Sequence, residues 1–364
     1  MKKLFAALLL FAVLVSQAAA LSTSARGAAL LETGTGTFLY EQDSGLRLPM
    51  ASTTKIMTAY VAVKYGDITK KFTIPKAAVG VEGSSMYLAE GEVYTLDDLL
   101  YGLMMTSGND AAAAVAICVA GSVADFVYLM NEEAKALGLK DTHFDNPSGL
   151  DSATHYTTAA ELARLAAKAL ENADFARYVG TKKYMIEATD THPARYFASK
   201  NRILLTYEGA IGVKTGYTVH SGRSLVTAAQ RNGVRLVAVT IDDGNDWNDH
   251  RAMLDYGFAH TGRVDPMDCL AREYVVPVAG GGTVRVRPDT MPEMTLIDMP
   301  GPVLRAKVFL PRFLYPDISL MQQVGEARIY ANDVLICTVP LRSYDSVLGP
   351  KPKKSLFQLI CGLS

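Results

Sequence analysis

The chain has 364 residues, with 36 lysines and arginines against 37 aspartates and glutamates. That near balance excludes the basic footprint of a nucleic-acid binder. The length exceeds what one hydrophobic core usually serves and favours two domains. Four cysteines, Cys118, Cys269, Cys337 and Cys361, lack CxxC spacing, and none of the six histidines falls in an HExxH pattern. Neither a zinc site nor a redox pair is therefore indicated, and no cofactor or metal is expected. Cys118, in the apolar run 111–120, reads as a small core residue.

Residues 1–20 have the form of a secretory leader: Lys2 and Lys3, an apolar run from 4 to 15, and Ala18-Ala19-Ala20 as a cleavage site. The run is shorter than the ~20 apolar residues a membrane-spanning helix needs. Export to the outer face of the cytoplasmic membrane or the cell-wall space is expected, where disulfides are permitted but not required.

Residues 27–31 and 37–40 favour strands, and Glu32-Thr33-Gly34-Thr35-Gly36 between them has hairpin turn chemistry. Residues 50–63 form a mostly apolar run long enough for a buried helix, with Ser52 in its first turn. Further helices are expected over 96–105 and 110–119, with a turn at 106–109. Thr158 followed by Glu161 has capping-box spacing and starts another helix. Residues 211–218, 224–229 and 234–240 read as strands, the last two joined by a turn at Arg231-Asn232-Gly233. Strands near both ends of this region with helices between them predict an α+β fold, an antiparallel sheet flanked by helices.

After about Gly262 the chain becomes rich in Val, Gly and Pro with short alternating segments. This predicts a smaller all-β domain over 263–347, after a first domain over 23–262. The tail, 348–364, joins Lys351, Lys353 and Lys354 to apolar residues on one helical face. It fits either a membrane-surface anchor or a short segment docked on the β domain. The lone Trp247 reads as surface loop or inter-domain packing.

Three short motifs carry chemistry: Ser52-Thr53-Thr54-Lys55, Ser107-Gly108-Asn109 and Lys214-Thr215-Gly216. Each alone has a bland reading: a capped helix start, a turn, an exposed strand end. A Ser-x-x-Lys arises by chance about once in a chain this long. Together, in this order and behind a leader, they describe a site. Residues three apart on a helix are neighbours, so Ser52 and Lys55 can exchange a proton. Lys55 can act as a base only if burial, or a second cation such as Lys214, lowers its pKa. Ser107 would relay a proton, and Asn109 would bind a peptide backbone through both ends of its amide. Lys214 and Thr215 would grip a terminal carboxylate, with Gly216 permitting close approach. The amides of Ser52 and Tyr217 would form an oxyanion hole. His220 is a candidate lining residue.

The segments at 49–59, 105–112, 143–151 and 212–218 resemble the low-molecular-mass penicillin-binding proteins that act as serine D-alanyl-D-alanine carboxypeptidases. The resemblance spans about 23–262. It implies a β-lactamase-like αβα sandwich and removal of the last D-alanine from peptidoglycan pentapeptide stems. It also implies covalent inhibition by β-lactam antibiotics, no metal or cofactor, and the roles above for Ser52, Lys55, Ser107, Asn109 and Lys214. A DD-endopeptidase or transpeptidase is the nearest alternative, because pocket shape separates these. A class A β-lactamase is less consistent with the chain, which lacks a Glu-x-x-Leu-Asn segment between Ser107 and Lys214. A non-enzymatic wall-binding scaffold would be expected to carry a broken motif, and none is broken.

Overall fold

A computed structural model describes residues 21–299 and 301–349. The expected leader at 1–20 and the lysine-bearing part of the tail lie outside the described residues. Two compact units are present. The first comprises 21–31, 38–229 and 237–256; the second is formed mainly by the chain from 257 onward, with the short segments 32–37 and 230–236.

In chain order the first unit begins with β1 (Gly27–Glu32), β2 (Thr37–Gln42) and α1 (Lys55–Tyr65). The short pair β3 (Lys71–Thr73) and β4 (Val93–Thr95) leads to α2 (Leu96–Tyr101), α3 (Asn109–Ala120) and α4 (Val123–Ala136). Next come α5 (Ala159–Ala169), α6 (Ala173–Gly180), the pair β5 (Lys183–Ile186) and β6 (Arg195–Ala198), and α7 (Arg202–Thr206). Strands β7 (Ala210–Thr218), β8 (Gly222–Arg231) and β9 (Val234–Ile241) precede α8 (Asp246–Ala259).

The main sheet has the order β2-β1-β9-β8-β7, so the amino-terminal hairpin joins the edge of strands formed some two hundred residues later. Both of its faces are covered, which is the αβα arrangement. Val226 and Ala228 of β8 belong to the core shared with α1, α3 and α5. The alternate residue Thr227 points the other way, to His250 of α8. A strand with a period of two can serve both layers only if it is buried throughout, and residues 224–229 are all buried.

Helix α1 is the centre of the larger core. Every residue from Lys55 to Ala62 is buried, as expected for a helix without a polar face. The Asn232-Gly233 turn joins β8 to β9 with both residues at positive φ, 47° and 77°, the geometry that two-residue hairpins favour.

The second unit contains β10 (Thr261–Val264), β11 (Tyr274–Pro277), β12 (Thr283–Pro288), β13 (Met294–Ile297), β14 (Leu304–Phe309), β15 (Gln323–Ala331) and β16 (Val334–Ser343). Five of them form an antiparallel sheet, β11-β12-β16-β15-β14. Val284, Val286, Ile329, Val339 and Leu341 close its core, which is the alternation visible in the sequence.

Several local expectations are corrected. Ser52 lies in a 3-10 turn, Ala51–Thr54, that precedes α1. The helix expected over 96–105 gives way at Gly102–Thr106 to a π turn. Glu161 does not complete a capping box: Thr158 accepts from the Glu161 amide, but the Glu161 carboxylate takes Thr142 Oγ1 at 2.6 Å and the Asp141 amide instead. The tertiary contact wins because Thr142 and Asp141 supply the donors. Helices α4, α6, α7 and α8 lie outside the sequence expectations.

Two buried histidines tie this fold to pH. His250 bridges Thr227 and Thr240 at 2.7 and 3.0 Å, and burial pushes its pKa down to about 3. His155 is likewise pushed down to about 4, chiefly by burial. Both are neutral when folded and titrate near 6.5 when unfolded. Below that value the unfolded chain binds more protons, so stability falls with falling pH, by roughly 2 kcal/mol per histidine at pH 5. Urea unfolding midpoints measured from pH 7.5 to 5 should therefore decline. A His250→Gln variant should show a shallower decline, and an unchanged slope would remove this account.

Candidate active site

The 3-10 turn that carries Ser52 is held by its own threonines. Thr53 Oγ1 donates to Met50 O at 2.6 Å and Thr54 Oγ1 to Ala51 O at 2.8 Å. The amide of Asp145 donates to His155 Nδ1 at 2.9 Å, which leaves the proton on Nε2, facing Thr54 Oγ1 at 2.7 Å. A neutral imidazole thus fixes the threonine that fixes the turn. Ala51 has a positive φ of 46°, a strained conformation for a residue with a Cβ and common beside functional groups.

Lys55 is fully buried and surrounded by three oxygens. Its Nζ lies 2.9 Å from Ser52 Oγ, 2.7 Å from Asn109 Oδ1 and 2.5 Å from Ser148 O. The last two can only accept, whereas Ser52 can donate. A neutral amine has two N–H groups and one lone pair, so it fits by donating to Asn109 and Ser148 and accepting from Ser52. Burial, reinforced by the nearby charge of Lys214, holds its pKa well below the usual lysine value.

Lys214 Nζ donates to Ser107 Oγ at 3.0 Å and to Thr215 O at 2.9 Å. Burial and the charge of Lys200 push its pKa down to about 7. Ser107 ends the π turn in the left-handed region, φ 63°, which turns the chain into α3. The three motifs, separated in sequence, are therefore joined by hydrogen bonds into two linked groups, Ser52–Lys55–Asn109 and Ser107–Lys214.

Strand β7 runs along the Ser52 turn. A Cβ on Gly216 would lie 3.1 Å from both Ser52 N and Thr53 N and 3.2 Å from Met50 O, so only glycine lets the strand approach that closely. Thr215, Gly216 and Tyr217 form one wall of a cleft of about 600 Å³ that also exposes Ser52, Ser84 and Ser107. Lys200, Arg223, Asp246 and Trp247 complete it.

Sequence reasoning missed these last residues. Trp247 belongs to α8 and lines the cleft, contrary to its reading as loop or inter-domain packing. His220 is exposed in the turn beyond β7 and is not among the lining residues. Asn109 is also corrected. Its Oδ1 takes Lys55 and its Nδ2 donates to Glu82 O at 2.6 Å, which leaves one N–H for a ligand in place of both ends of the amide.

The Ser148 carbonyl was missed as well. Asn146 Oδ1 accepts from the amides of Ser148, Gly149 and Leu150 and so aims that carbonyl at Lys55. The turn residues at 146–149 were the available signal, but nothing in them names Lys55 as partner.

The profile of the D-alanyl-D-alanine carboxypeptidase family matches residues 14–245, more than half of the chain. The chain belongs to this family. Among its relatives, D-alanyl-D-alanine carboxypeptidase DacF of Bacillus subtilis is 35% identical over 248 residues, 66% of this chain and 63% of that protein. The match thus spans less than two thirds of that relative's length. The crystal structure of the Streptomyces K15 DD-transpeptidase is 35% identical with a TM-score of 0.62, covering 65% of this chain and 98% of that one. The D-alanyl-D-alanine carboxypeptidase DacD of Francisella tularensis, at 24% identity and TM-score 0.64, covers 90% of this chain and 95% of its own. That likeness extends the shared fold through the carboxy-terminal β unit.

Two glycines test the site's geometry. Gly216→Ala should leave the thermal midpoint within a few degrees yet slow the β-lactam acylation expected at Ser52 about tenfold, because a methyl at 3.1 Å forces the strand and the Ser52 turn apart by a few tenths of an ångström. Gly149, at φ 87°, would carry its Cβ 1.9 Å from Ala51 O. Gly149→Ala should therefore lower both stability and acylation. A Gly216→Ala protein that acylates at the wild-type rate would show that the close approach has no catalytic consequence.

Proposed function

We propose that this protein is an exported serine D-Ala-D-Ala carboxypeptidase that removes the terminal D-alanine from peptidoglycan stem peptides and is acylated by β-lactams. The observation that carries this reading is the environment of Lys55: a buried amine whose only proton-donating hydrogen-bond neighbour among the described residues is the hydroxyl of Ser52.

Ser52 Oγ attacks the carbonyl between the two D-alanines while Lys55 Nζ takes its proton. The amides of Ser52 and Tyr217 receive the developing oxyanion, in a cleft where fixed donors act more strongly than in water. The C–N bond then breaks. The proton that Lys55 took from Ser52 passes through Ser107, which Lys214 holds in place, to the leaving amine, which departs as free D-alanine and leaves Lys55 neutral again. Water, deprotonated by Lys55, hydrolyses the ester on Ser52 and restores the enzyme. Lys214 and Thr215 bind the terminal carboxylate, and the remaining Asn109 N–H holds the peptide on the acyl side.

A second reading, transfer of the acyl group to an amine in place of water, is favoured by the likeness to the Streptomyces K15 DD-transpeptidase. The two share the acyl-enzyme and differ in the acceptor. Export rests on the apolar leader at 1–20, and membrane-surface contact on the lysines and apolar residues of 348–364. Co-sedimentation with anionic liposomes of the chain with and without 349–364 tests that contact; equal binding would eliminate it.

Free D-alanine should be released from a D-Ala-D-Ala peptide by the wild type and not by Ser52→Ala, and mass spectrometry should locate penicillin on Ser52. Lys55→Met should lower kcat/KM by about 10² to 10⁴. Because only uncharged Lys55 accepts the proton, kcat/KM should rise with pH along a limb lying well below the ordinary lysine range. Equal D-alanine release by wild type and Ser52→Ala would overturn the mechanism.

A further inference from the structure

Beside the cleft lies a second cavity of about 410 Å³, and the two share Arg223, Asp246 and Trp247 as a common wall. Arg202 and Arg251 also line it, so three guanidinium groups border the cavity with a single carboxylate, Asp246, among its lining residues. That carboxylate is already satisfied. Asp246 receives a fork from Arg223 Nε and Nη2 at 2.8 to 3.1 Å and also accepts from the Trp247 amide at 2.8 Å.

The other two guanidinium groups are not neutralised. That of Arg202 lies 5.9 Å from the Trp247 ring centre and makes no hydrogen bond or ion pair among the described residues. Arg251 donates one bond to Thr206 Oγ1, at 3.2 Å, and lies over Tyr207. Each lies within 6 Å of an aromatic ring centre, at the outer range of a cation–π contact, and keeps N–H groups free for a ligand. Both side chains are exposed where they border the cavity, so their free N–H groups are open to a ligand entering from solvent. Paired N–H groups of this kind suit a carboxylate.

We propose that this cavity is a leaving-group subsite for a second carboxylate, so that the enzyme also releases terminal D-residues carrying an acidic side chain. The inference rests on the carboxypeptidase reading, in which Lys214 and Thr215 hold the main-chain carboxylate of the departing residue. Arg223, in the wall between the two sites, then separates that carboxylate from one carried by the residue's side chain. The chemistry is unchanged: the same C–N bond is hydrolysed, one water is consumed, and the acidic amino acid leaves with its amine protonated. Arg202 and Arg251 are specificity residues here and take no part in the proton transfers.

The test compares two peptides with the same acyl part, one ending in D-Ala-D-Ala and the other in D-Ala-D-2-aminoadipate. The wild type should hydrolyse both. In the Arg202→Ala/Arg251→Ala double variant, KM for the acidic peptide should rise about tenfold with kcat unchanged, while KM for the D-Ala-D-Ala peptide stays within twofold. Equal effects on both peptides, no effect on either, or refusal of the acidic peptide by a wild type that releases D-alanine would overturn the subsite. An NMR titration with free D-2-aminoadipate reads the same cavity without catalysis. Binding weakened in the double variant supports the subsite even if neither peptide is cleaved, and equal binding by the two proteins overturns it.

Discussion

A lysine amine buried without a carboxylate partner is the constraint around which the site is arranged. Taking an ammonium out of water is costly unless the charge is paired or lost, and among the described residues Lys55 has no carboxylate in hydrogen-bond range; its hydrogen-bond partners are Ser52, Asn109 and a carbonyl. The protein meets this cost by favouring the neutral amine. In the proposed mechanism the same burial that disfavours the ammonium favours the free amine that would take the Ser52 proton, so the structural requirement and the chemical one coincide.

That arrangement depends on elements remote from it in sequence. Helix α1 is buried from Lys55 to Ala62 and so holds Lys55 out of solvent, and α3 brings Asn109 against it. The loop at 146–150, gathered around the Asn146 side chain, delivers the Ser148 carbonyl. Strand β7 then closes on the nucleophile turn through Gly216. Each contact is modest by itself, but the set leaves Ser52 Oγ as the only hydrogen-bond partner among the described residues from which Lys55 can accept a proton.

The covering of both sheet faces matters for the same reason. Helix α8 packs behind β8 and β9 through His250, which reaches a threonine on each strand, and its first residues, Asp246 and Trp247, come forward to wall the cleft. One helix therefore joins the hydrophobic layer to the substrate-facing surface. With Arg202 of α7 and Arg223 of β8, Arg251 of the same helix concentrates positive charge on one side of the cleft.

By itself the sequence determined the chemical inventory: a serine and a lysine three residues apart, a second serine before an asparagine, and a lysine ahead of a glycine that tolerates close approach. It also determined the five strands of the main sheet, because alternation and Asn-Gly turns are local signals. Tertiary structure decided what local signals do not carry. The Ser52 turn became 3-10 under the hold of Thr54 and His155, and Glu161 left its capping position for Thr142. Asn109 gave one end of its amide to Glu82, and Trp247 entered the cleft. In each case a long-range partner supplied a hydrogen bond or a buried surface stronger than the local preference, and the identity of that partner is not written in the residues nearby.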